Sequence, residues 1–147
     1  MKTVEVWIDG ACEPKNPGGT ASWGAYFTYA GVPLEDWGIV GSGEGMSNNV
    51  AEYAALIEAL NIAKSRYGAA IHLMVYGDSQ LVINQMNREW EIGRAMYTEY
   101  AQRALHLALQ FQKLTFTWIP RERNTFADAL SKRALAEKGI KPHYLRR

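Results

Sequence analysis

Residues 3–10 read Thr-Val-Glu-Val-Trp-Ile-Asp-Gly, a run of β-branched and aromatic residues that ends in an acid and a glycine. This composition predicts a β-strand. By the two-residue period, one face of the strand comprises Val4, Val6 and Ile8, and the other comprises Glu5, Trp7 and Asp9. A strand covered on both faces lies inside a sheet. We expect Asp9 at its carboxyl end, where α/β sheets bind ligands, although Asp-Gly is also typical of a simple turn.

Length and composition limit the class of protein. The chain has 147 residues, 48% of them hydrophobic, which suits one domain with a sizeable core. We therefore expect a single domain over residues 1–147, with a basic C-terminal tail from about residue 138. No apolar run approaches the ~18 residues of a membrane helix, and the first residues do not form a signal peptide. We expect a soluble, cytoplasmic protein without a membrane partner.

Cysteine, histidine and net charge restrict the possible sites. Cys12 is the only cysteine, which excludes internal disulfides and a multi-thiolate zinc site. The three histidines, His72, His106 and His143, are far apart in sequence and lack metal-ligand spacing. Any bound metal is therefore expected to have oxygen ligands. A net charge of +1 neither requires nor forbids a nucleic-acid partner.

The remaining pattern predicts an α/β protein. Three strands form an antiparallel meander, at residues 3–10, 21–29 and 34–41. The later predicted elements are a largely buried helix at 49–66, a strand at 71–76, helices at 81–87 and 97–112, a strand at 114–119 and a helix at 125–138. This order indicates helices layered on a mixed sheet. A dinucleotide-binding fold is disfavoured, because no Gly-x-Gly-x-x-Gly follows a strand and opens a helix.

Four acids stand at element ends or in first helical turns: Asp9, Glu52, Asp78 and Asp128. Each also has an ordinary structural explanation. Asp9 suits a turn, Asp78 suits the N-cap of the next helix, and the spacings Asn49-x-x-Glu52 and Thr125-x-x-Asp128 suit capping boxes. Taken together, two acids end strands and two open helices, and such positions can converge at one edge of a sheet.

Convergence of these acids would create a site for hard cations. Close carboxylates raise one another's pKa unless cations neutralise them, and oxygen ligands suit Mg²⁺ or Mn²⁺. Two such ions ~4 Å apart can clamp a phosphodiester for in-line displacement, one activating water and the other stabilising the leaving oxygen. The joint pattern therefore indicates metal-assisted phosphodiester hydrolysis.

Four segments resemble type 1 ribonuclease H, in that family's order and over nearly the whole chain. They are Val-Trp-Ile-Asp-Gly-Ala-Cys at 6–12 with Asn-Pro-Gly at 16–18, Ser-Asn-Asn-Val-Ala-Glu-Tyr-Ala-Ala-Leu at 47–56, Tyr-Gly-Asp-Ser-Gln-Leu-Val at 76–82, and Trp-Ile-Pro-Arg-Glu-Arg-Asn-Thr-Phe-Ala-Asp-Ala-Leu at 118–130. The resemblance implies a five-stranded mixed sheet, flanked by helices, with the first strand at its centre. It also implies a two-metal-ion endonuclease that cuts the RNA strand of RNA–DNA hybrids.

The resemblance implies roles for particular residues. Asp9, Glu52, Asp78 and Asp128 match the ligands of two Mg²⁺ or Mn²⁺ ions. Asn16, Asn49 and Gln80 match positions that contact the hybrid, Ser47 lies near a phosphate of the DNA strand, and Ser79 lies beside the RNA strand. Short amides can hydrogen-bond minor-groove atoms and the 2′-hydroxyl that distinguishes RNA. Turn or cap roles are the alternative for Asn16, Asn49 and Gln80.

Two features depart from many bacterial members. Those members carry a histidine in the loop before the last helix, whereas residues 120–124 read Pro-Arg-Glu-Arg-Asn. Arg121 or Glu122 is the candidate substitute, unless both are solvated loop charges. Residues 87–96 replace a basic protrusion, and there Arg88 and Arg94 are balanced by Glu89 and Glu91. We therefore expect weaker or more salt-sensitive hybrid binding, compensated in part by the basic tail; Trp90 is either a DNA-stacking residue or a core or edge aromatic.

The leading hypothesis is a monomeric, metal-dependent ribonuclease H, and no protein partner can be inferred. Two alternatives stay open. One is a ribonuclease H-like nucleic-acid-binding domain without turnover, which four mutually repelling acids disfavour. The other is a related nuclease that cuts DNA or structured RNA, which the residues resembling hybrid contacts disfavour.

Overall fold

A mixed five-stranded sheet forms the centre of the computed structural model, which describes residues 1–143. The strands are β1 Lys2–Glu13, β2 Thr20–Tyr29, β3 Val32–Ser42, β4 Ile71–Gly77 and β5 Lys113–Trp118. They lie in the order β3-β2-β1-β4-β5, with β1–β2 and β2–β3 antiparallel and β1–β4 and β4–β5 parallel. The predicted α/β class, meander and central first strand are confirmed.

Helices cover the sheet. They are α1 Asn48–Tyr67, α2 Gln80–Met86, α3 Thr98–Ala108 and α4 Thr125–Glu137, with a 3₁₀ turn at Arg121–Arg123. Between Val50 and Leu60, helix α1 is buried nearly all round, as its continuous apolar composition predicts, and Leu56 and Leu60 join Val4 and Val6 in the core. Helix α3 ends four residues before the predicted residue 112, because Phe111 turns into the core and the Gln112 N–H donates to Ala69 O (2.9 Å).

Strand β1 continues past Asp9, so the prediction that it ends there is wrong. Gly10 pairs with Trp23, and the pairing with β2 continues to Glu13 opposite Thr20. Pairing with β4, by contrast, stops at Ile8 opposite Gly77. Asp9 is therefore the first β1 residue beyond its parallel neighbour, and a cleft opens beside it.

Gly10 is required by close packing, and its interpretation as a turn residue is also wrong. A Cβ at this position would lie 2.6 Å from Glu52 N, inside the backbone of α1. On the opposite face, a Cβ on Gly24 would lie 2.6 Å from Ala127 O of α4. These two glycines allow α1 and α4 to approach the sheet beside Asp9.

The cap roles considered for Glu52, Asp78 and Asp128 are not those of the structure. Ser47 caps α1, because its Oγ accepts from Val50 N (3.1 Å), so Glu52 falls in the second turn and forms no capping box with Asn49. Ser79 caps α2 through Val82 N (3.2 Å), which leaves the Asp78 side chain outside the cap. The N-cap of α4 is Asn124, which excludes the capping box proposed for Thr125 and Asp128.

The described part of the predicted tail folds back onto the domain. Gly139 has a φ of 81°, and Ile140 N donates to Leu135 O (2.9 Å), which turns the chain after α4. His143 N then reaches Glu13 Oε2 at the end of β1 (2.8 Å). Residues 144–147, the remainder of the predicted basic tail, lie outside the described residues. Within residues 1–143, no helix has the length and apolar character needed to cross a membrane.

Candidate active site

Three of the four predicted acids meet at one edge of the sheet. Oxygen atoms of Asp9, Glu52 and Asp78 lie within 4.8 Å of one another. Asp9 comes from β1, Glu52 from the second turn of α1, and Asp78 from the residue after β4. Asp9 is 7% exposed and Glu52 is 8% exposed. The convergence expected from the sequence is thus present for these three side chains.

One backbone amide joins two of these acids. The N–H of Gly10 donates to Asp9 Oδ1 (3.0 Å) and to Glu52 Oε1. Burial nevertheless raises the pKa of Asp9 to about 7, and the negative charges of Asp78 and Asp128 add to this rise. Burial and the adjacent charge of Asp9 raise the pKa of Glu52 well above its ordinary value. A cation between these carboxylates would relieve their repulsion.

Asp128 approaches the same cleft from the other face of the sheet. It lies in the first turn of α4, which packs against Gly24. Its carboxylate is close enough for its charge to raise the pKa of Asp9, although it is not part of the 4.8 Å group. Lys132, one turn further along α4, forms an ion pair with Asp128 (2.9 Å). Asp128 is therefore the peripheral member of the four.

Asn124 contacts the site, although the sequence pattern did not predict it as a site residue. Its side chain is 1% exposed, and Nδ2 donates to both Ile8 O and Asp78 Oδ2, each at 2.8 Å. It therefore holds the Asp78 carboxylate against β1. Trp118 adds a second restraint, because its indole N–H donates to Asp78 O (3.0 Å). The available signal was a short amide at the start of α4, four positions before Asp128.

The predicted substrate residues are divided between the cleft and its surroundings. A cleft of about 420 Å³ is lined by all four acids and, among the predicted substrate residues, by Ser79 and Arg121. Asn49 and Gln80 are exposed at the beginnings of α1 and α2. Asn16 and Ser47 make structural hydrogen bonds: Asn16 Oδ1 accepts from Asn48 N (2.9 Å), and Ser47 caps α1.

The structure also describes the two segments whose sequences differ from those of many bacterial members, residues 87–96 and residues 120–124. Residues 87–97, between α2 and α3, contain no helix, and Trp90 is 47% exposed, so it is not a core residue. Arg121 and Glu122 are both exposed in the 3₁₀ turn. Of these two, Arg121 lines the cleft.

The site has one acid on the central strand, beside the end of the parallel neighbour of that strand. Further acids come from two helices on opposite faces of the sheet. This arrangement defines a ribonuclease H-like domain. The family model described as reverse transcriptase-like matches residues 36–134. The N-terminal RNase H domain of Rv2228c from Mycobacterium tuberculosis is 33% identical, with a TM-score of 0.83 over 95% of this chain and 97% of that one. Given these matches, the chain belongs to the type 1 ribonuclease H family.

Two further solved structures agree with this assignment. RNase H1 from the halophilic archaeon Halobacterium salinarum is 32% identical, with a TM-score of 0.80 over 92% of this chain and 98% of that one. LC11-RNase H1, solved in complex with an RNA/DNA hybrid, is 29% identical, with a TM-score of 0.81 over the same shares of the two chains. The chain spans 24% of the length of the first curated relatives, which are mycobacterial proteins.

Proposed function

We propose that this chain is an endonuclease that hydrolyses the RNA strand of RNA–DNA hybrids and depends on divalent cations. The observation that carries the proposal is the group of three carboxylates, from Asp9, Glu52 and Asp78, within 4.8 Å of one another. Membership of the type 1 ribonuclease H family and the hybrid bound to LC11-RNase H1 support the substrate class. A cytoplasmic location and a monomeric state stay predictions from the sequence.

The donor set fits Mg²⁺ or Mn²⁺. Carboxylate oxygens are hard ligands, and two of these acids are buried with raised pKa values, so that a cation would stabilise their charged forms. Asp9, Glu52, Asp78 and Asp128 would hold two ions, and Asp9 interacts with each of the other three acids. Bound divalent cations would supply an activated water and charge neutralisation at the leaving oxygen.

The protein contributes fixed positions for the ligands. Gly10 N–H restrains Asp9 and Glu52 together, and Asn124 restrains Asp78. These contacts come from the backbone of β1 and from a buried amide, so the carboxylates need little rearrangement to act together. Arg121, exposed on the cleft wall, is suited to bind a phosphate of the substrate through its guanidinium.

We propose that the substrate is selected at the N-termini of α1 and α2, beside the cleft. Asn49 and Gln80 present exposed amides that can bond minor-groove atoms and the ribose 2′-hydroxyl. Ser47 and Ser79 accept backbone hydrogen bonds as caps, so each hydroxyl keeps its own hydrogen for donation to a phosphate. Asn16 supports this surface by bonding Asn48 N.

The test is cleavage of four end-labelled substrates: RNA–DNA hybrid, single-stranded RNA, double-stranded RNA and DNA duplex. Each is incubated with Mg²⁺, Mn²⁺ or EDTA, and Asp9→Asn serves as the inactive control. Cation-dependent cleavage of the RNA strand in the hybrid is expected. Hybrid binding without cleavage in either metal would support a non-catalytic domain instead. Preferential cleavage of the DNA duplex or of double-stranded RNA would indicate a nuclease of different specificity.

A further inference from the structure

A histidine from the C-terminal segment lies at the carboxylate cleft. His143 lines this cleft together with Asp9, Glu52, Asp78 and Asp128. It is distant from all four acids in sequence, and the spacing of the histidines indicates no function for it. The fold brings it there because the chain turns back after α4 toward the end of β1.

Glu13 holds His143 in place. The backbone N of His143 donates to Glu13 Oε2 (2.8 Å), and its ring Nδ1 lies 2.9 Å from Oε2 and 3.2 Å from Oε1. An ionised carboxylate can only accept hydrogen bonds, so this contact suits the tautomer in which Nδ1 carries the proton. Such a partner sets the orientation and tautomer of an imidazole, as it does in many catalytic sites. The pair therefore has the form of an oriented base or acid.

The other charged groups around the cleft are poorly suited to transfer a proton. Among residues 1–143 they are the four acids, Glu13, Arg121 and Lys132. The four acids are the proposed cation ligands, and Lys132 is paired with Asp128 at 2.9 Å. A guanidinium keeps its proton near neutral pH, whereas an imidazole exchanges one readily. His143 is therefore the side chain of the described cleft whose chemistry matches proton transfer.

We propose that His143, oriented by Glu13, is the proton-transferring residue of hydrolysis in this cleft; this rests on the proposed nuclease function. The water oxygen forms a bond to phosphorus, and the bond from phosphorus to the leaving ribose oxygen breaks, its electron pair remaining on that oxygen. The imidazolium of His143 gives its proton to the leaving oxygen. The attacking water loses a proton to solvent, and the imidazole regains one from solvent, so protons and charge balance.

The experiment compares the 147-residue wild-type chain with His143→Ala, Glu13→Gln, His106→Ala and Asp78→Asn under single-turnover conditions on the RNA–DNA hybrid. His106 is exposed near the end of α3 and does not line the cleft. The variant His106→Ala therefore controls for the loss of an imidazole outside the cleft. Each reaction is repeated with added imidazole at constant ionic strength, and hybrid affinity is measured separately. Circular dichroism checks that each variant is folded.

We expect His143→Ala to lower the single-turnover rate constant about 100-fold, with unchanged hybrid affinity. Glu13→Gln lowers it about tenfold, because the ring loses its orienting partner but remains present. Added imidazole restores part of the rate of His143→Ala and does not change the rates of the wild type, of His106→Ala or of Asp78→Asn.

Two results would overturn this role for His143. The first is a His143→Ala rate equal to that of His106→Ala. The second is a loss of rate that imidazole does not restore and that is accompanied by weaker hybrid binding. Such a result would mean that His143 supports the structure of the binding surface and does not transfer a proton. An inactive wild type would instead refute the nuclease function, and with it the role of His143.

Discussion

The backbone N–H of Gly10 donates a hydrogen bond to Glu52, a residue 42 positions away in the sequence. The same N–H bonds Asp9 at 3.0 Å, so two buried acids share one donor. The contact exists because Gly10 lacks a Cβ and α1 passes directly over it. A glycine in the central strand is thus the reason that Asp9 and Glu52 can lie side by side.

Replacement of Gly10 by alanine is expected to damage both folding and activity. The new Cβ would lie 2.6 Å from Glu52 N, where the α1 backbone cannot yield as a flexible side chain would. We expect a loss of about 1–3 kcal/mol in the free energy of unfolding, typical of overpacking, measured by urea denaturation. Gly93→Ala is the matched control, because the nearest atom to its new Cβ is Tyr97 Oη at 3.9 Å. Equal stability of the two variants would contradict the packing argument.

Asp9→Asn is expected to stabilise the cation-free protein while abolishing cleavage. Burial and the charges of Asp78 and Asp128 raise the pKa of Asp9 to about 7, so its ionised form costs folding energy. We expect a gain of roughly 1–3 kcal/mol in the free energy of unfolding in EDTA at pH 8. The exposed Asp36→Asn on β3 serves as the control and should have little effect. An Asp9→Asn protein less stable than wild type would show that the carboxylate itself supports the fold.

The stability of the cation-free protein is expected to fall as pH rises from about 4 to about 7. Asp9 binds its proton more tightly in the folded than in the unfolded chain, because its folded pKa is raised to about 7. Folding therefore favours the protonated form, and deprotonation removes this stabilisation. Melting temperatures measured from pH 4 to 8 in EDTA test the slope. Mg²⁺ should reduce the fall, and Asp9→Asn should reduce the slope to the part that Glu52 contributes, because the pKa of Glu52 is raised as well. An equal slope in Asp9→Asn would exclude Asp9 as a source of the fall.

Asn124→Ala is expected to weaken cation use. The substitution removes the donor that holds Asp78 Oδ2 at 2.8 Å and also leaves Ile8 O without that bond. Loss of such a supporting contact typically costs about 10- to 100-fold in metal affinity or activity. The Mg²⁺ concentration that supports half-maximal cleavage should rise accordingly. Asn61→Ala, at an exposed position of α1, is the control. The same Mg²⁺ concentration for half-maximal cleavage in both variants would contradict a role of Asn124 in positioning Asp78.

Asn49→Ala and Gln80→Ala are expected to raise the KM for the hybrid more than they lower kcat. Both amides are exposed beside the cleft and make no contact with the acids among the hydrogen bonds of the described residues. Loss of one hydrogen bond corresponds to an increase of roughly 2- to 10-fold in KM. Steady-state kinetics with hybrid substrate measure the change. A fall in kcat with constant KM would place these side chains in the chemical step instead.

Local sequence patterns predict most of the secondary structure and the acidic residues of the site. The alternation of residues in β1, the apolar run of α1 and the four family segments identify the elements, the α/β class and the acids. These signals can be read from the chain because strand and helix periods depend on neighbouring residues. The family assignment likewise rests on the residues themselves.

The way in which these elements meet depends on contacts between residues that are far apart in the chain. Strand β1 runs past Asp9 because β2, remote in sequence, continues to pair with it up to Glu13. Asn124 reaches Ile8 across 116 positions, and His143 reaches Glu13 across 130. No local period encodes such contacts, since they arise when α1 and α4 pack on opposite faces of the sheet. The amino-acid pattern identifies the four acids, whereas the close packing of Gly10 and Gly24 against those helices brings the acids to one site.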